Sequence, residues 1–365
     1  MAAQNVLVDE TRLHDFVVDI FRAAGSSGRE AALIARHLVA SNLRGHDSHG
    51  VGSIPVYIRN LKCGDLLANQ VLERVNETDG FLVCDGKGGY GQVMAHDAMA
   101  IGIAKAQANG VALIGLRNSH HVGRIGHWAE QCADAGLVSI HFVNVVSDPS
   151  VAPFGGVAAR VGTNPFSVGV PREGKLPVIL DFATSKLAVG KVRVAMNQGK
   201  PLPPGALLTA AGEPTTDPSI LFGQPKGILL PFGDHKGWGL SFACELLGAA
   251  LTGGKTQSGP KRRNATINCM LSILISPERL GTAGTLSPEI DTFVGWVRSG
   301  GNADVLLPGD VEAATTAERR DHGIPIDAKT WSDIVAAGRE VGAEPPSSIL
   351  EPAAAARTRW SDEDR

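Results

Sequence analysis

The 365-residue sequence predicts an α/β fold, because short apolar runs typical of strands alternate with amphipathic or alanine-rich segments typical of helices. The length leaves room for two domains and a large core. Hydrophobic residues make up 43% of the chain but aromatic residues only 5%, so that core is expected to be mainly aliphatic.

The first helical segment carries its own start and stop signals. Ser27 and Glu30 have the spacing of a capping box, in which each side chain bonds the backbone of the other. Ile34 and Leu38 lie four residues apart and would share one buried helix face. Gly45 stands where a helix is expected to end.

The other elements follow from periodicity and from the positions of Gly and Pro. Helices are predicted within residues 12–43, at 94–108, 125–135 and 237–251, and within 289–342. Strands are predicted at 81–85, 111–116, 137–146, 177–180 and 267–275. Residues 147–235 are dense in Pro and Gly, which indicates loops with short β-like runs. The tail, 346–365, lacks apolar periodicity and is predicted to be disordered.

The composition excludes several functional classes. The formal net charge is −3, without the basic excess that nucleic-acid binding requires. No apolar run reaches the roughly 18 residues needed to span a membrane, and the first residues lack the apolar stretch of a secretory signal. The five cysteines are scattered and never form a Cys-x-x-Cys pair. We therefore expect a cytoplasmic protein with reduced thiols and no thiolate metal site.

The most distinctive motif runs from Asn118 to Trp128 and combines three histidines, an arginine and glycines directly after a predicted strand. Histidine exchanges protons near neutral pH, and arginine can hold a carboxylate or a phosphate with paired hydrogen bonds. Glycine lets a ligand approach the backbone. The motif indicates a site that binds a small anion and moves a proton, although a polar surface loop explains these residues equally well.

A second motif, Arg44 to Gly50, favours the functional interpretation. A helix C-cap, with basic residues facing the negative end of the helix dipole, would explain its arginine. It would not explain why Asp47, Ser48 and His49 follow in sequence and are themselves followed by another glycine.

A third motif, Gly86-Lys87-Gly88-Gly89-Tyr90-Gly91, matches Gly-x-Gly-x-x-Gly between a predicted strand and a predicted helix, the setting of a Rossmann phosphate loop. A Rossmann domain also needs an acidic residue at the end of the next strand, about 20 residues further on. That strand ends at Leu116, Arg117 and Asn118, without Asp or Glu. Since Arg117 could serve a 2′-phosphate, the motif alone leaves a Rossmann fold open.

Six segments together resemble the type-2 malate/L-lactate dehydrogenase family, which includes L-sulfolactate and ureidoglycolate dehydrogenases. In chain order they are Asp47-Ser48-His49-Gly50, Asn118-Ser119-x-His121-x-Gly123, Gly162-Thr163-Asn164-Pro165, Asp181-Phe182-Ala183-Thr184-Ser185, Pro214-Thr215-Thr216-Asp217-Pro218 and His235-Lys236-Gly237. The resemblance covers about residues 10–345 and argues against the Rossmann interpretation of the glycine motif.

The resemblance also implies a domain organisation. Family members have a non-Rossmann NAD(P)-binding α/β domain with a largely antiparallel sheet, expected here over residues 77–276. A helical domain built from both chain ends, 1–76 with 277–345, is expected to pack against it. The resemblance further implies a homodimer whose active site lies near the subunit interface.

The same resemblance assigns roles to individual residues. His121 matches the family's acid/base histidine, and His49 matches a position that lines the nicotinamide pocket and could contact cofactor or substrate. Asp181 is expected to contact the cofactor and to orient a catalytic imidazole, and Ser48 to support the substrate site. Structural alternatives are a loop hydrogen bond for His121, helix capping for His49 and a turn cap for Asp181. The full set of positions implied to contact NAD or NADP is His49, Gly123, Arg124, Ile125, Ile179, Leu180, Asp181, Phe182, Ala183, His235, Asn268, Gly309, Asp310, Val311 and Glu312.

One position departs from the family pattern. Several members carry an arginine four residues after the histidine of the first motif, suited to a substrate carboxylate, and here that position is Ser53. Either Arg124 or another group then holds the acid, or the substrate differs from malate.

These residues predict an NAD(P)-dependent oxidoreductase that interconverts 2-oxo acids and 2-hydroxy acids by hydride transfer. Reduction of a cyclic imino acid such as Δ1-piperideine-2-carboxylate, by the same chemistry, is the alternative. A metal hydrolase with histidine ligands is less well supported, because no Glu lies between His46 and His49 as a His-Glu-x-x-His site needs. A binding protein without catalysis would show nucleotide binding without turnover.

Overall fold

The computed structural model describes residues 5–258, 265–301 and 303–345, so the predicted tail lies outside the described residues. The α-helices are α1 Glu10–Ala23, α2 Gly28–Leu43, α3 Ile54–Lys62, α4 Gly91–Asn109, α5 Gly126–Asp134, α6 Val189–Asn197, α7 His235–Ala243, α8 Pro277–Leu280, α9 Ala283–Arg298, α10 Asp310–His322 and α11 Ala328–Val341. The strands are β1 Asn5–Val8, β2 Glu73–Glu77, β3 Phe81–Asp85, β4 Val111–His120, β5 Val138–Val146, β6 Pro165–Val170, β7 Val178–Ala183, β8 Leu207–Leu208, β9 Pro214–Thr215, β10 Ile228–Leu229, β11 Ile267–Ile275 and β12 Ile324–Asp327. In the part of the chain that the structure describes, no helix is both long and apolar enough to cross a membrane.

A seven-stranded sheet with strand order β2-β3-β4-β11-β5-β6-β7 forms the centre of the fold. All neighbouring strands in it are antiparallel except β3 and β4, which are parallel and are joined through α4. Smaller sheets pair β10-β8-β9 and β1-β12. The predicted α/β class and the largely antiparallel sheet are therefore confirmed.

Both faces of the central sheet are covered. Successive residues of a strand point to opposite faces, so two neighbouring residues of β4 show what covers each face. Ile114 of β4 packs against α4, where a side chain on Gly102 would approach it to 2.7 Å. The next residue, Gly115, faces Thr252 on the other side of the sheet. Strand β11 is accordingly buried along most of its length, as its apolar sequence predicts.

The C-terminal end of β4 lies beside the N-terminal end of β11, and this end of the two strands carries the histidine motif. Ile267 pairs with His120 and Asn268 with Ser119, and the register shifts between Asn268 and Met270. Strand β4 extends four residues beyond its predicted end, because this pairing continues the ladder through the polar residues.

The signals in the first helical segment have mostly the predicted effect. The Ser27 side chain accepts the Glu30 N–H at 3.2 Å and caps α2. The Glu30 carboxylate, however, bonds the Ser26 hydroxyl and the Asn69 N–H, so the reciprocal half of the capping box is not formed. Helix α2 ends at Leu43, and Gly45 follows with φ 78°, which glycine adopts without strain.

The segments from both chain ends pack onto the same core. Strand β1 pairs with β12, and one hydrophobic cluster joins Leu13, Leu38 and Ile334 of the helices to Ile114 and Leu274 of the sheet. The buried residues of this cluster are largely aliphatic, in agreement with the composition.

Helix α3 and strands β1, β2 and β12 have no counterpart among the predicted elements, and two further elements differ from the prediction. Helix α6 lies within the Pro/Gly-rich region, where no helix was predicted, because its β-branched valines have weak helix propensity. Tertiary packing stabilises it through Val192, which is buried in a second cluster with Val151 and Leu221. The helix predicted at 237–251 begins at His235 and changes to π-helical hydrogen bonding over Cys244–Ala250.

Candidate active site

A cleft of about 1270 Å³ opens between the turns that precede α3, the end of β4, and α6. Much of the predicted site lines it. The predicted residues that the structure brings to this cleft are Ser48, His49, Ser53, His121, Gly123, Arg124, Ile125, Asp181, Phe182, Ala183 and Asn268.

Other predicted cofactor positions do not line the cleft: Ile179, Leu180, His235, Gly309, Asp310, Val311 and Glu312. His235 is exposed at the start of α7. The Ile179 N–H donates to Pro308 O at 3.2 Å, so the start of β7 contacts the loop before α10. Glu312 reaches the site indirectly, since its Oε1 lies 3.1 Å from Nε2 of His46, which does line the cleft. Cofactor contact by these positions stays a prediction.

His121 is held by a tyrosine that the sequence analysis did not identify. Tyr57 Oη lies 2.7 Å from His121 Nδ1 and accepts a hydrogen bond from Gln92 Nε2 at 2.9 Å. Burial raises the pKa of the Tyr57 phenol, while hydrogen bonds from Gln92 and Ser53 oppose that shift, so the hydroxyl stays protonated at neutral pH. One sequence signal was available: Tyr57 lies four residues after Ser53, a spacing that places both on one helix face.

His49 stacks beside His121, with ring centroids 5.6 Å apart and an interplanar angle of 24°. Its Nδ1 lies 3.0 Å from Ser48 Oγ, which orients the ring. Burial lowers the pKa of His49 to about 4 and that of His121 well below its ordinary value, and each of these pKa shifts is reinforced by neighbouring imidazoles. Two neutral imidazoles therefore lie together at the cleft.

The turn that carries His49 is fixed by Asp47 and by Asn42 of α2. The Asp47 carboxylate accepts hydrogen bonds from Arg319 and from the Asn42 amide at 2.6 Å and 2.7 Å. Asn42 Oδ1 accepts the Val51 N–H at 2.8 Å. A Cβ on Gly50 would lie 2.0 Å from that same oxygen, so glycine is required at this position.

Asn268 lines the cleft, but both polar atoms of its side chain are used within the protein. Its Oδ1 accepts the Val122 N–H at 2.9 Å, and its Nδ2 donates to Asn144 O at 2.8 Å. Because Val122 directly follows His121, Asn268 fixes the backbone that carries the histidine.

In the structure, Arg124 and Asp181 bond groups of the protein other than the predicted partners. The Arg124 guanidinium is buried, and its terminal nitrogen lies 2.6 Å from Glu130 Oε2. Asp181 Oδ2 accepts the Gly126 N–H at 2.8 Å, at the start of α5. Among the described hydrogen bonds, none joins Asp181 to an imidazole, and burial raises the pKa of its carboxyl against the opposing effect of Arg124. The Glu130 carboxylate therefore already binds the guanidinium that was expected to hold a ligand anion, and Asp181 binds a backbone amide in place of an imidazole.

The glycine motif is used for packing. The N–H groups of residues 86–89 donate, in order, to Arg117 O, Asp85 Oδ1, Asn118 O and Gly86 O. The amides that a Rossmann loop would present to a phosphate are thus already bonded within the protein. The loop instead fixes the end of β4.

No group of three or more His, Cys, Asp or Glu side chains among the described residues is arranged to hold a metal ion. All five cysteines fall within the described ranges and are free thiols, and of these only Cys63 is exposed.

Comparison with known proteins decides the family. A model of the malate/L-lactate dehydrogenase family matches residues 8–335. The chain belongs to this malate/L-lactate dehydrogenase family. It is 48% identical over 343 residues to hydroxycarboxylate dehydrogenase B of Escherichia coli K12, covering 92% of this chain and 94% of that protein. The predicted resemblance is confirmed.

Solved structures agree with this assignment. An E. coli structure assigned to the malate/lactate dehydrogenases superposes with a TM-score of 0.89 at 47% identity, covering 92% of this chain and 96% of the other. A Δ1-piperideine-2-carboxylate reductase from Pseudomonas syringae pvar. tomato gives a TM-score of 0.82 at 31% identity, with 91% and 99% coverage. Relatives in this family are named as dehydrogenases of hydroxy acids, and family members generally use nicotinamide cofactors.

Acid should destabilise the folded chain through its buried histidines. Burial is the first cause of a lowered pKa in His37, His49, His120, His121, His127 and His141. The unfolded chain takes up these protons near pH 6.5 and the folded chain only at lower pH, so this stability is complete above pH 6.5 and is lost as pH falls. Each buried histidine contributes a slope of up to about 1.4 kcal/mol per pH unit. Urea unfolding between pH 8 and pH 4.5 measures it, and an unfolding free energy that stays constant from pH 7 to pH 5 would contradict it.

Proposed function

We propose that the chain is an NAD(P)-dependent dehydrogenase that interconverts 2-oxo acids and 2-hydroxy acids. In reduction, a hydride adds to C2 of the oxo acid and a proton adds to its oxygen. The observation that carries the proposal is the pair of stacked imidazoles at the cleft, His121 held by Tyr57 and His49 held by Ser48.

The cleft fits a dinucleotide together with a small acid. Its volume of about 1270 Å³ exceeds the roughly 300–1,000 Å³ of a typical pocket for one small molecule. Gly123 lines it with a φ of 76°, a backbone conformation that glycine adopts without strain. Bound NADH or NADPH would supply the hydride.

His121 is proposed to exchange the proton with the substrate oxygen. Tyr57 Oη accepts a hydrogen bond from Nδ1–H of His121 in both protonation states, which leaves Nε2 to give the proton to the substrate oxygen or to take it back. A substrate carboxylate close to His121 would raise the pKa of the ring and favour the proton-donating form. In the oxidative direction, the neutral ring present in the folded chain accepts the hydroxyl proton.

We propose that the substrate carboxylate binds a cation other than Arg124, because one terminal nitrogen of that guanidinium already bonds Glu130. Arg59 and Lys191 both line the cleft. Within the described chain, neither of them has a carboxylate partner. Lys191 lies near enough to His49 to lower the pKa of its ring. We propose these two residues as the groups that compensate for Ser53.

The domain and assembly predictions complete the proposal. Residues 77–276 would form a non-Rossmann dinucleotide-binding domain, and 1–76 with 277–345 a helical domain, in a cytoplasmic protein. A homodimer is supported by α9, where Phe293 and Trp296 are 64% and 76% exposed. Apolar side chains this exposed mark association surfaces when they lie together.

A reduction screen tests the proposal. Purified protein is mixed with NADH or NADPH and a panel of 2-oxo acids, including phenylpyruvate and glyoxylate, and nucleotide oxidation is followed. We expect turnover with at least one oxo acid and one nucleotide. Absence of turnover with every acid and both nucleotides would refute the proposal.

The second candidate, reduction of a cyclic imino acid, is favoured by the similarity to the Pseudomonas syringae reductase. Competition between Δ1-piperideine-2-carboxylate and the best oxo acid in one assay separates the two. Faster reduction of the imine would make it the preferred substrate class.

A further inference from the structure

His37 of α2 belongs to none of the motifs, yet it contacts the candidate site directly. Its side chain is almost fully buried, and its Nε2 accepts the backbone N–H of Arg124 at 3.0 Å. Arg124 lies three residues after His121 in the same loop. A single hydrogen bond therefore ties α2 to the loop between His121 and α5.

Gly123 makes this contact possible. Its φ is 76°, and a Cβ at this position would lie 2.0 Å from His37 Nε2. The His37 ring thus occupies the space that any other residue at position 123 would fill. The imidazole and the glycine are matched to each other, and together they determine the course of the backbone.

The ring of His37 is fixed from the other side as well. Trp128 stacks on it with centroids 5.1 Å apart, and His127 lies 4.6 Å away. Burial lowers the pKa of His37 well below its ordinary value, and His127 and Arg124 act in the same direction. The ring is therefore neutral, with a lone pair on Nε2 to accept the N–H and its proton on Nδ1.

We infer that His37 is a positioning residue, whose Nε2 fixes the Gly123–Arg124 peptide and thereby sets the conformation in which the loop after His121 receives the dinucleotide. The inference rests on the proposed function, in which this loop faces NADH or NADPH. A buried histidine that only filled space would contribute to stability and leave nucleotide affinity unchanged.

Two substitutions at this position separate the roles. His37→Leu keeps the volume and removes the acceptor, whereas His37→Gln keeps an acceptor oxygen near the place of Nε2. We expect His37→Leu to raise the nucleotide dissociation constant and KM by about tenfold, the equivalent of one lost hydrogen bond, with a smaller change in kcat. For His37→Gln, the nucleotide dissociation constant and KM should stay within about threefold of the values for the unaltered chain.

His141→Leu is the matched control. His141 is also fully buried and neutral, and it bonds Ser272 and Ser139 at 2.8 Å and 3.0 Å, but it does not line the cleft. This variant should lose stability and keep its nucleotide dissociation constant. Equal nucleotide affinities for His37→Leu and the unaltered chain would overturn the inference, as would equal losses in the Leu and Gln variants of His37.

A second test holds even if His37→Leu fails to fold. Gly123→Ala alone should weaken nucleotide binding, because its Cβ meets Nε2. Combining it with His37→Ala removes the obstructing ring, so the double variant should bind the nucleotide more tightly than Gly123→Ala alone. Strictly additive losses would overturn the inference.

The outcomes also distinguish this inference from the proposed function. If the unaltered chain bound neither NADH nor NADPH, the proposed function and the inference would both fall. If the unaltered chain bound the nucleotide and turned over, while the His37 variants lost stability but kept their nucleotide affinity, only the proposed role of His37 would fall.

Discussion

The His121→Ala variant is expected to fold, to bind the nicotinamide nucleotide nearly as tightly as the unaltered chain, and to turn over about 10²–10⁴-fold more slowly. The substitution removes the only ring that combines a position in the cleft with the Tyr57 hydrogen bond in the described chain. The substrate oxygen would then have to exchange its proton with water, without a positioned donor. Stopped-flow reduction and fluorescence titration of the nucleotide measure the two quantities separately.

The control for this prediction is His322→Ala, which removes an exposed histidine on α10 and should leave both quantities unchanged. Tyr57→Phe keeps the ring and removes the hydroxyl, so it should slow turnover by less than the loss of His121 and alter the pH profile of kcat. Turnover by His121→Ala at the unaltered rate would remove His121 from its proposed role. A parallel loss of nucleotide affinity would show that the residue acts through the structure of the cleft.

The Gly91→Ala variant is expected to lose stability and activity together. A Cβ on Gly91 would lie 2.2 Å from His121 O and 2.5 Å from His120 O. Both are backbone atoms in a hydrogen-bonded segment, which cannot move aside as a flexible side chain would. Overpacking of this kind costs about 1–3 kcal/mol or more, and any relief must shift the backbone of His121.

Gly239→Ala provides the comparison for Gly91→Ala. Gly239 lies in α7, and a Cβ there meets no atom within 4 Å. Alanine is favoured over glycine inside helices by roughly 0.5–1 kcal/mol, so this variant should be as stable as the unaltered chain or more stable. Urea unfolding midpoints for the three proteins test the contrast. Coincident midpoints for Gly91→Ala and the unaltered chain would show that the close approach is not a constraint.

Gly91 also explains why the glycine motif resembles a phosphate loop. In both settings a strand turns sharply into a helix, and the last glycine allows helix and strand to approach closely. Sequence alone cannot distinguish amides that face a ligand from amides that face the next strand. Here the Gly88 N–H donates to Asn118 O in the extension of β4, so this amide is not free to bind a phosphate.

Local structure was predictable where local forces determine it. Ser27, the Ile34–Leu38 face and Gly45 delimit α2 through capping, burial and backbone freedom within a few residues. The pairing of β11 with β4 was beyond such reasoning, since it joins residues about 150 positions apart and periodicity reports burial without naming the partner. The antiparallel sheet was expected only through the family resemblance.

The site was predictable in part for the same reason. His49 and His121 stand in conspicuous polar motifs, whereas Tyr57 and His37 lie within amphipathic helices, where each has the pattern of an ordinary core residue. Arg124 was expected to hold an anion because its sequence neighbours are glycine and histidine. Its partner in the structure, Glu130, lies on α5, and only the three-dimensional path of the loop brings the two charges together.

The place of β11 in the sheet has a consequence for biosynthesis. This strand is the last of the seven in the chain, yet it lies between β4 and β5 at the centre. As the chain leaves the ribosome, both of those strands must wait with an unpaired edge until residue 275 has emerged. Unpaired strand edges can pair with other chains. Until β11 is synthesised, we therefore expect the nascent chain to be prone to association and to be a substrate for chaperones.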